Sequence, residues 1–137
     1  MKIKRRILFI NDRIDEITLR MYLIKKWISE SKKGKPYLIN LFSALNSNEA
    51  FNTLISNGFK IDLIITDLER GDDDPKKFIQ FCKEFFPDIK VLVLSYHSEE
   101  NLLELGRDAD FALSAAADYE TTIAVLDHLL FDRPLNI

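Results

Sequence analysis

The sequence predicts an α/β fold: a five-stranded parallel sheet, doubly wound by helices, in the strand order 2-1-3-4-5. Three runs, Ile7-Leu8-Phe9-Ile10, Leu63-Ile64-Ile65 and Val91-Leu92-Val93-Leu94, are continuously apolar and each is followed by a polar residue. Such short runs suit central strands buried on both faces. Helical periodicity fills the gaps, so the order reads βαβαβαβαβα with short connections, which requires right-handed crossovers and helices on both faces of the sheet. Apolar strength ranks the first, third and fourth strands as central and the other two as edges, which is the doubly wound order.

The first strand, Ile7 to Ile10, leads into a helix that starts near Asp15. Ile14, Ile17, Met21, Ile24 and Ile28 share one face of it at spacings of three and four. Tyr37 to Phe42, interrupted by Asn40, is a weaker strand and reads as an edge. Ser47 to Asn57 is the second helix, with Ala50, Phe51, Leu54 and Ile55 inward, Ser47 as N-cap and Gly58 at the stop. After the third strand, Pro75 sits at a first helical position behind a capping Asp74, and Phe78, Phe81, Cys82 and Phe85 follow at helical spacing before Pro87. A weakly amphipathic fourth helix is expected over Glu99 to Arg107. A short edge strand follows at Phe111 to Leu113, then a fifth helix from about Tyr119 to Phe131 with Ile123, Leu126 and Leu130 inward. Arg133-Pro134 closes the fold.

One domain over 1–137, with its core at about 5–131, is expected from a chain of 137 residues that is 47% apolar and 30% charged. A net charge of -3 offers no overall basic field for nucleic acid. The one basic run, Lys2, Lys4, Arg5 and Arg6, reads as a solvated tail. Cys82 is the only cysteine, so no intramolecular disulfide forms; a packed, inert thiol and a reducing cytoplasm are expected. Ile7 to Ile10 is too short for a signal-peptide core or a membrane span. Trp27 is expected to be partly buried packing, and His97 an exposed loop residue without a metal partner.

In doubly wound sheets the site lies beyond the carboxyl ends of the strands. Asn11, Asp12, Asp67, Ser95 and Ser114 end the apolar runs and form one constellation there. Asp12 and Asp67 end adjacent strands, and two carboxylates at one sheet edge make an oxygen-rich site suited to Mg²⁺. A metal there would let the Asp67 carboxylate act as a nucleophile toward phosphorus. A hydroxyl at Ser95 could then bond the new phosphoryl oxygens and draw its loop inward. Taken singly, each strand-end Asp reads as a helix cap or a solvated turn.

From Arg6 to Leu130 the chain resembles the receiver domains of bacterial response regulators, of the flavodoxin-like class. The stretches that carry the resemblance are ILFIND with its following helix, DLIITDLERGDDDP, and VLVLSYHS. The resemblance implies Asp67 as phosphoacceptor and Asp12 as a direct metal ligand. It further implies Glu69 as a metal ligand through its backbone carbonyl, Ser95 as the switch hydroxyl and Phe111 as the aromatic rotamer switch. It also implies a histidine kinase or phosphotransfer protein upstream, a protein partner downstream, no enzymatic activity and a cytoplasmic location. Such receivers commonly engage partners through their fourth and fifth helices and fifth strand. Only Asp132 to Ile137 remain beyond the last helix, so no output domain is expected.

The chain also departs from that pattern. Asn11 replaces the first member of the acidic pair, which weakens the Mg²⁺ site, although an amide oxygen can still hold a metal-bound water. The Lys-Pro that ends the family's fifth strand is absent, and Ser114 takes the place of the Lys. A serine brings no charge to a phosphoryl group, and charged hydrogen bonds are the stronger kind. About one extra residue lies between Gly106 and Asp110, yet no slip of alignment restores a Lys. Tyr96 is bulky where the family often has a small residue, and Gly71 replaces a Pro.

These departures leave two readings open: a phosphorylation-dependent switch, and a degenerate receiver acting as a phosphorylation-independent interaction module. A flavin binder or small phosphatase on the same fold is disfavoured. Asn11-Asp12-Arg13-Ile14-Asp15 lacks the Ser/Thr and Gly of a phosphate loop and has no second Asp two residues after Asp12.

Overall fold

The computed structural model describes residues 3–30, 37–68, 74–96 and 107–135. The described elements are β1 (Ile3–Ile10), α1 (Ile14–Glu30), β2 (Tyr37–Ala44), α2 (Ser47–Ser56), β3 (Leu63–Asp67), α3 (Pro75–Phe85), β4 (Lys90–Ser95), β5 (Phe111–Ser114) and the C-terminal helix α4 (Tyr119–Phe131). All five strands are parallel in one sheet, in the order β2-β1-β3-β4-β5. This is the predicted doubly wound architecture, with the two weaker runs at its edges. The helix expected over Glu99 to Arg107 lies outside the described residues except for Arg107, which sits in a turn.

Alternation along the central strands divides the core in two, because successive side chains of a strand point to opposite faces. Leu8, Ile10, Ile64, Val91 and Val93 face one layer, where Leu54 of α2 and Phe78, Ile79 and Cys82 of α3 cover them. Ile7, Phe9, Leu63, Ile65, Leu92 and Leu94 face the other, against Ile17 and Ile24 of α1 and Val125, Leu126 and Leu130 of α4. Burial on both sides is why these strands read as unbroken apolar runs.

Several local readings change. Arg5 and Arg6 are half-buried members of β1 rather than a tail: Arg5 Nε donates to the Leu130 carbonyl at 2.9 Å, and the Arg6 amide donates to Asp62 Oδ2 at 2.8 Å. The N-cap of α2 is Asn46, not Ser47. Its Oδ1 accepts from the Glu49 amide at 2.9 Å, while Glu49 Oε2 accepts from the Leu45 amide at 2.7 Å, a reciprocal cap that satisfies two end donors. Ile14, Ile55 and Phe85, placed inward by periodicity, are exposed. Gly58, at φ 60, and Phe59, at φ 59, turn the chain out of α2 through left-handed backbone, where Gly carries no Cβ penalty.

The Pro75 start behind Asp74 is as predicted, with Asp74 Oδ1 accepting from the Lys77 amide at 3.2 Å. Cys82 is fully buried, and burial pushes its thiol up to about 12, with Lys83 pulling the other way. Trp27 is half-buried, its ring 6.3 Å from that of Phe131. Among the described residues, no helix is long and apolar enough to cross a membrane.

Candidate functional site

The carboxyl ends of β1, β3 and β4 open into a cleft of about 140 Å³, flanked by α1 and the residues just past β5. Asn11, Asp12 and Asp67 all line it, together with Arg13, Glu16, Arg20, Thr66, Tyr96 and Ala115. β1 and β3 are neighbours with Ile10 opposite Thr66, so Asp12 and Asp67 each follow that rung closely. Asp12 is exposed and Asp67 half-buried. Two carboxylates of adjacent strands facing one cleft are a donor set that Mg²⁺ accepts when waters and phosphate oxygens complete its shell. Among the described residues, no group of three or more His, Cys, Asp or Glu side chains is arranged to hold an ion.

Asn11 is the hub of the α1 side. Its Nδ2 donates to Glu16 Oε2 at 2.9 Å, and its Oδ1 accepts from the Arg13 amide at 2.8 Å. One lone pair of the amide oxygen is thereby used, leaving the other for a water. Glu16, with its side chain 19% exposed, also accepts from the Tyr96 hydroxyl at 3.1 Å and lies 3.6 Å from Arg13 Nη1. Tyr96 reaches from the end of β4 to α1 and lines the cleft.

The other two strand-end residues, Ser95 and Ser114, are not among the described residues that line the cleft, although Ser95 directly follows Leu94, the partner of Asp67 in the sheet. Ser95 is fully buried and lies opposite Ser114 in the sheet register, which fixes Ser114 as the residue that ends β5 beside Ser95. Ser95's carbonyl accepts from the Ala115 amide at 2.8 Å, and Ser114 Oγ accepts from the Ala116 amide at 3.1 Å. Phe111 starts β5 opposite Leu92, half-buried against the layer that α1 and α4 cover. Glu69, His97 and Gly71 lie outside the described residues.

Two contributors escaped the sequence reading. Glu16 and Arg20 lie four residues apart on α1, hence on one helix face, which is the only sequence signal they give. Arg20 Nη2 donates to the Ala115 carbonyl at 3.1 Å, so its guanidinium sits at the end of β5.

No family model matches the sequence, and no curated protein matches it. Solved structures do share its architecture. A two-component response regulator from Clostridium difficile superposes with a TM-score of 0.74 at 19% identity, covering 92% of this chain and 95% of its own. The chemotaxis response regulator CheY4 of Vibrio cholerae gives 0.73 at 16% identity, covering 93% and 100%. The beryllofluoride-activated NtrC4 receiver domain dimer gives 0.75 at 19% identity, covering 93% and 97%. With the strand order and the placement of the cleft, these likenesses show that the chain has the fold of response-regulator receiver domains.

Proposed function

We propose that the chain is a receiver-type signalling module in which Asp67 accepts a phosphoryl group and the change at the cleft alters the surface offered to a protein partner. The observation that carries this reading is the convergence of Asp12, Asp67 and Asn11 on one cleft at the carboxyl ends of β1 and β3. In the step itself a carboxylate oxygen of Asp67 attacks the phosphorus of a phosphohistidine on a kinase or phosphotransfer protein. The P–O bond forms as the P–N bond breaks, and the leaving imidazole keeps the electron pair and takes up a proton.

Asp12 and Asp67 would hold Mg²⁺, with Asn11 through a water and the Glu69 backbone carbonyl completing the set. When bound, that ion supplies positive charge that screens the incoming phosphoryl oxygens from the carboxylates. Ser95 is the hydroxyl proposed to bond the phosphoryl group, and Phe111 the aromatic side chain proposed to follow it. The Ser95 carbonyl already ties β4 to Ala115, so movement at Ser95 would reach the residue after β5. The module acts through protein contacts in the cytoplasm rather than as an enzyme.

A second reading rests on one specific observation: among the described residues, no lysine lines the cleft. It takes the chain as an interaction module that needs no phosphorylation. An amide NMR titration with Mg²⁺ and then beryllofluoride, comparing wild type with Asp67→Asn, separates the two. Shifts that require Mg²⁺, centre on Asp67, reach Ser95 and Phe111 and vanish in the variant support the switch. An unchanged spectrum at millimolar ligand leaves the interaction module.

A further inference from the structure

A phosphoryl group on Asp67 would put a dianion where the carboxylate carried one negative charge, in a cleft that already holds Asp12 and Glu16, and Ser114 brings no charge to meet it. Arg13 and Arg20 are the cations lining that cleft among the described residues. Arg13 is committed elsewhere: its guanidinium lies 3.3 Å from Asp15 Oδ2 and 3.6 Å from Glu16 Oε1, and its side chain is 62% exposed. Arg20 is half-buried, and among the described residues its hydrogen-bond partner is the Ala115 carbonyl, with no carboxylate in ion-pair contact. It also lines an apolar crevice between α1 and α4, beside Phe9, Ile24 and Leu126. Its stem therefore lies among apolar groups while its head reaches the strand ends, as long cationic side chains do.

We propose that Arg20 is the cation that binds the phosphoryl group on Asp67, supplied from α1 in place of the lysine absent at the end of β5, and that Ala115 carries its response. The proposal rests on the phosphoacceptor role of Asp67. A neutral carbonyl is a weaker partner for a guanidinium than a phosphoryl oxygen, so the dianion draws Arg20 off Ala115. Ala115 is held from two sides, its amide on the Ser95 carbonyl and its carbonyl on Arg20. Release of one hold frees the segment that leads into α4, which gives the phosphoryl group a route to the C-terminal helix.

The test is beryllofluoride binding in Mg²⁺, followed by amide and arginine side-chain NMR, for wild type, Arg20→Gln, Arg20→Lys and the exposed α1 control Lys25→Gln. Loss of a charge-assisted pair weakens binding by about tenfold or more in Arg20→Gln, with partial recovery in Arg20→Lys and wild-type affinity in Lys25→Gln. In the wild type, the Arg20 Nε–H signal and the Ala115 amide shift together at saturation. That measurement decides the matter if Arg20→Gln fails to fold. Wild-type affinity in a folded Arg20→Gln, or an Arg20 signal that stays in place at saturation, overturns the proposal and leaves Arg20 as a clasp on the loop. If the wild type itself binds no beryllofluoride, the Asp67 reading and this one fall together; if it binds and Arg20→Gln matches it, only the role of Arg20 falls.

Discussion

Giving Asp12 an acidic neighbour by Asn11→Asp destabilises the protein in the absence of Mg²⁺, because Asn11 is matched to a carboxylate. Its Nδ2 donates to Glu16 Oε2 at 2.9 Å, and Glu16 is held there by Tyr96 as well. The substitution removes one charge-assisted hydrogen bond, worth about 1.5–3 kcal/mol. It also sets two carboxylates face to face: at about 4 Å and an effective dielectric constant of about 20, repulsion approaches 4 kcal/mol before the side chains part. Rotation of Glu16 toward Arg13, already 3.6 Å away, relieves part of this, so a net loss of about 2–4 kcal/mol is expected. Urea unfolding with and without Mg²⁺, run as a double-mutant cycle with Glu16→Gln, measures it. The loss should shrink in the Glu16→Gln background and, on the proposed Mg²⁺ site, in millimolar Mg²⁺. A fully stable Asn11→Asp, or equal losses with and without Glu16, would refute the hub role of Asn11.

Four further outcomes follow from the packing and the ionisable groups. Cys82, fully buried and with its thiol pushed up to about 12, should resist a thiol reagent at pH 8 in the native state and react stoichiometrically in denaturant. The same shift makes the folded state hold this proton more tightly than the unfolded chain, so its contribution to stability is present below pH 9 and declines as the pH rises toward about 12. Asp118 caps α4, and hydrogen bonds from the backbone and side chain of Thr121 hold its carboxyl below the ordinary aspartate value of 3.8. Its support for α4 is therefore present above that value and lost as the pH falls through the folded one, which a carboxyl-detected NMR titration would register. Leu92→Ala, at a fully buried position between Ile65 and Phe111, should cost about 2–5 kcal/mol in urea unfolding.

The strands were legible because burial on both faces forces unbroken apolar runs, and the weaker edges followed from Asn40 within β2 and the brevity of β5. The α3 start was legible because Pro75 tolerates few positions besides the first turn. Periodicity failed at the margins of the helical stripes: Ile14, Ile55 and Phe85 keep the spacing but fall beyond the contact. Asn46 and Ser47 are both good caps, and side-chain type alone could not choose between neighbours.

The site divides along the same line. Asn11, Asp12 and Asp67 could be placed because the topology fixes where strands end. Glu16 and Arg20 could not, because their meaning depends on how α1 is rotated against the sheet edge, and a spacing of four gives a shared face without saying what it faces. Ser95 and Ser114 end their strands as expected and lie opposite each other, yet they stand outside the lining of the cleft.

The most direct test of the central claim is the intact mass of the wild-type protein and of Asp67→Asn after incubation with acetyl phosphate and Mg²⁺. One phosphoryl group should be gained by the wild type, be removed by hydroxylamine as an acyl phosphate is, and be absent from the variant. A wild type that gains none, or an Asp67→Asn variant that gains the same group, contradicts the assignment of Asp67 as the phosphoacceptor.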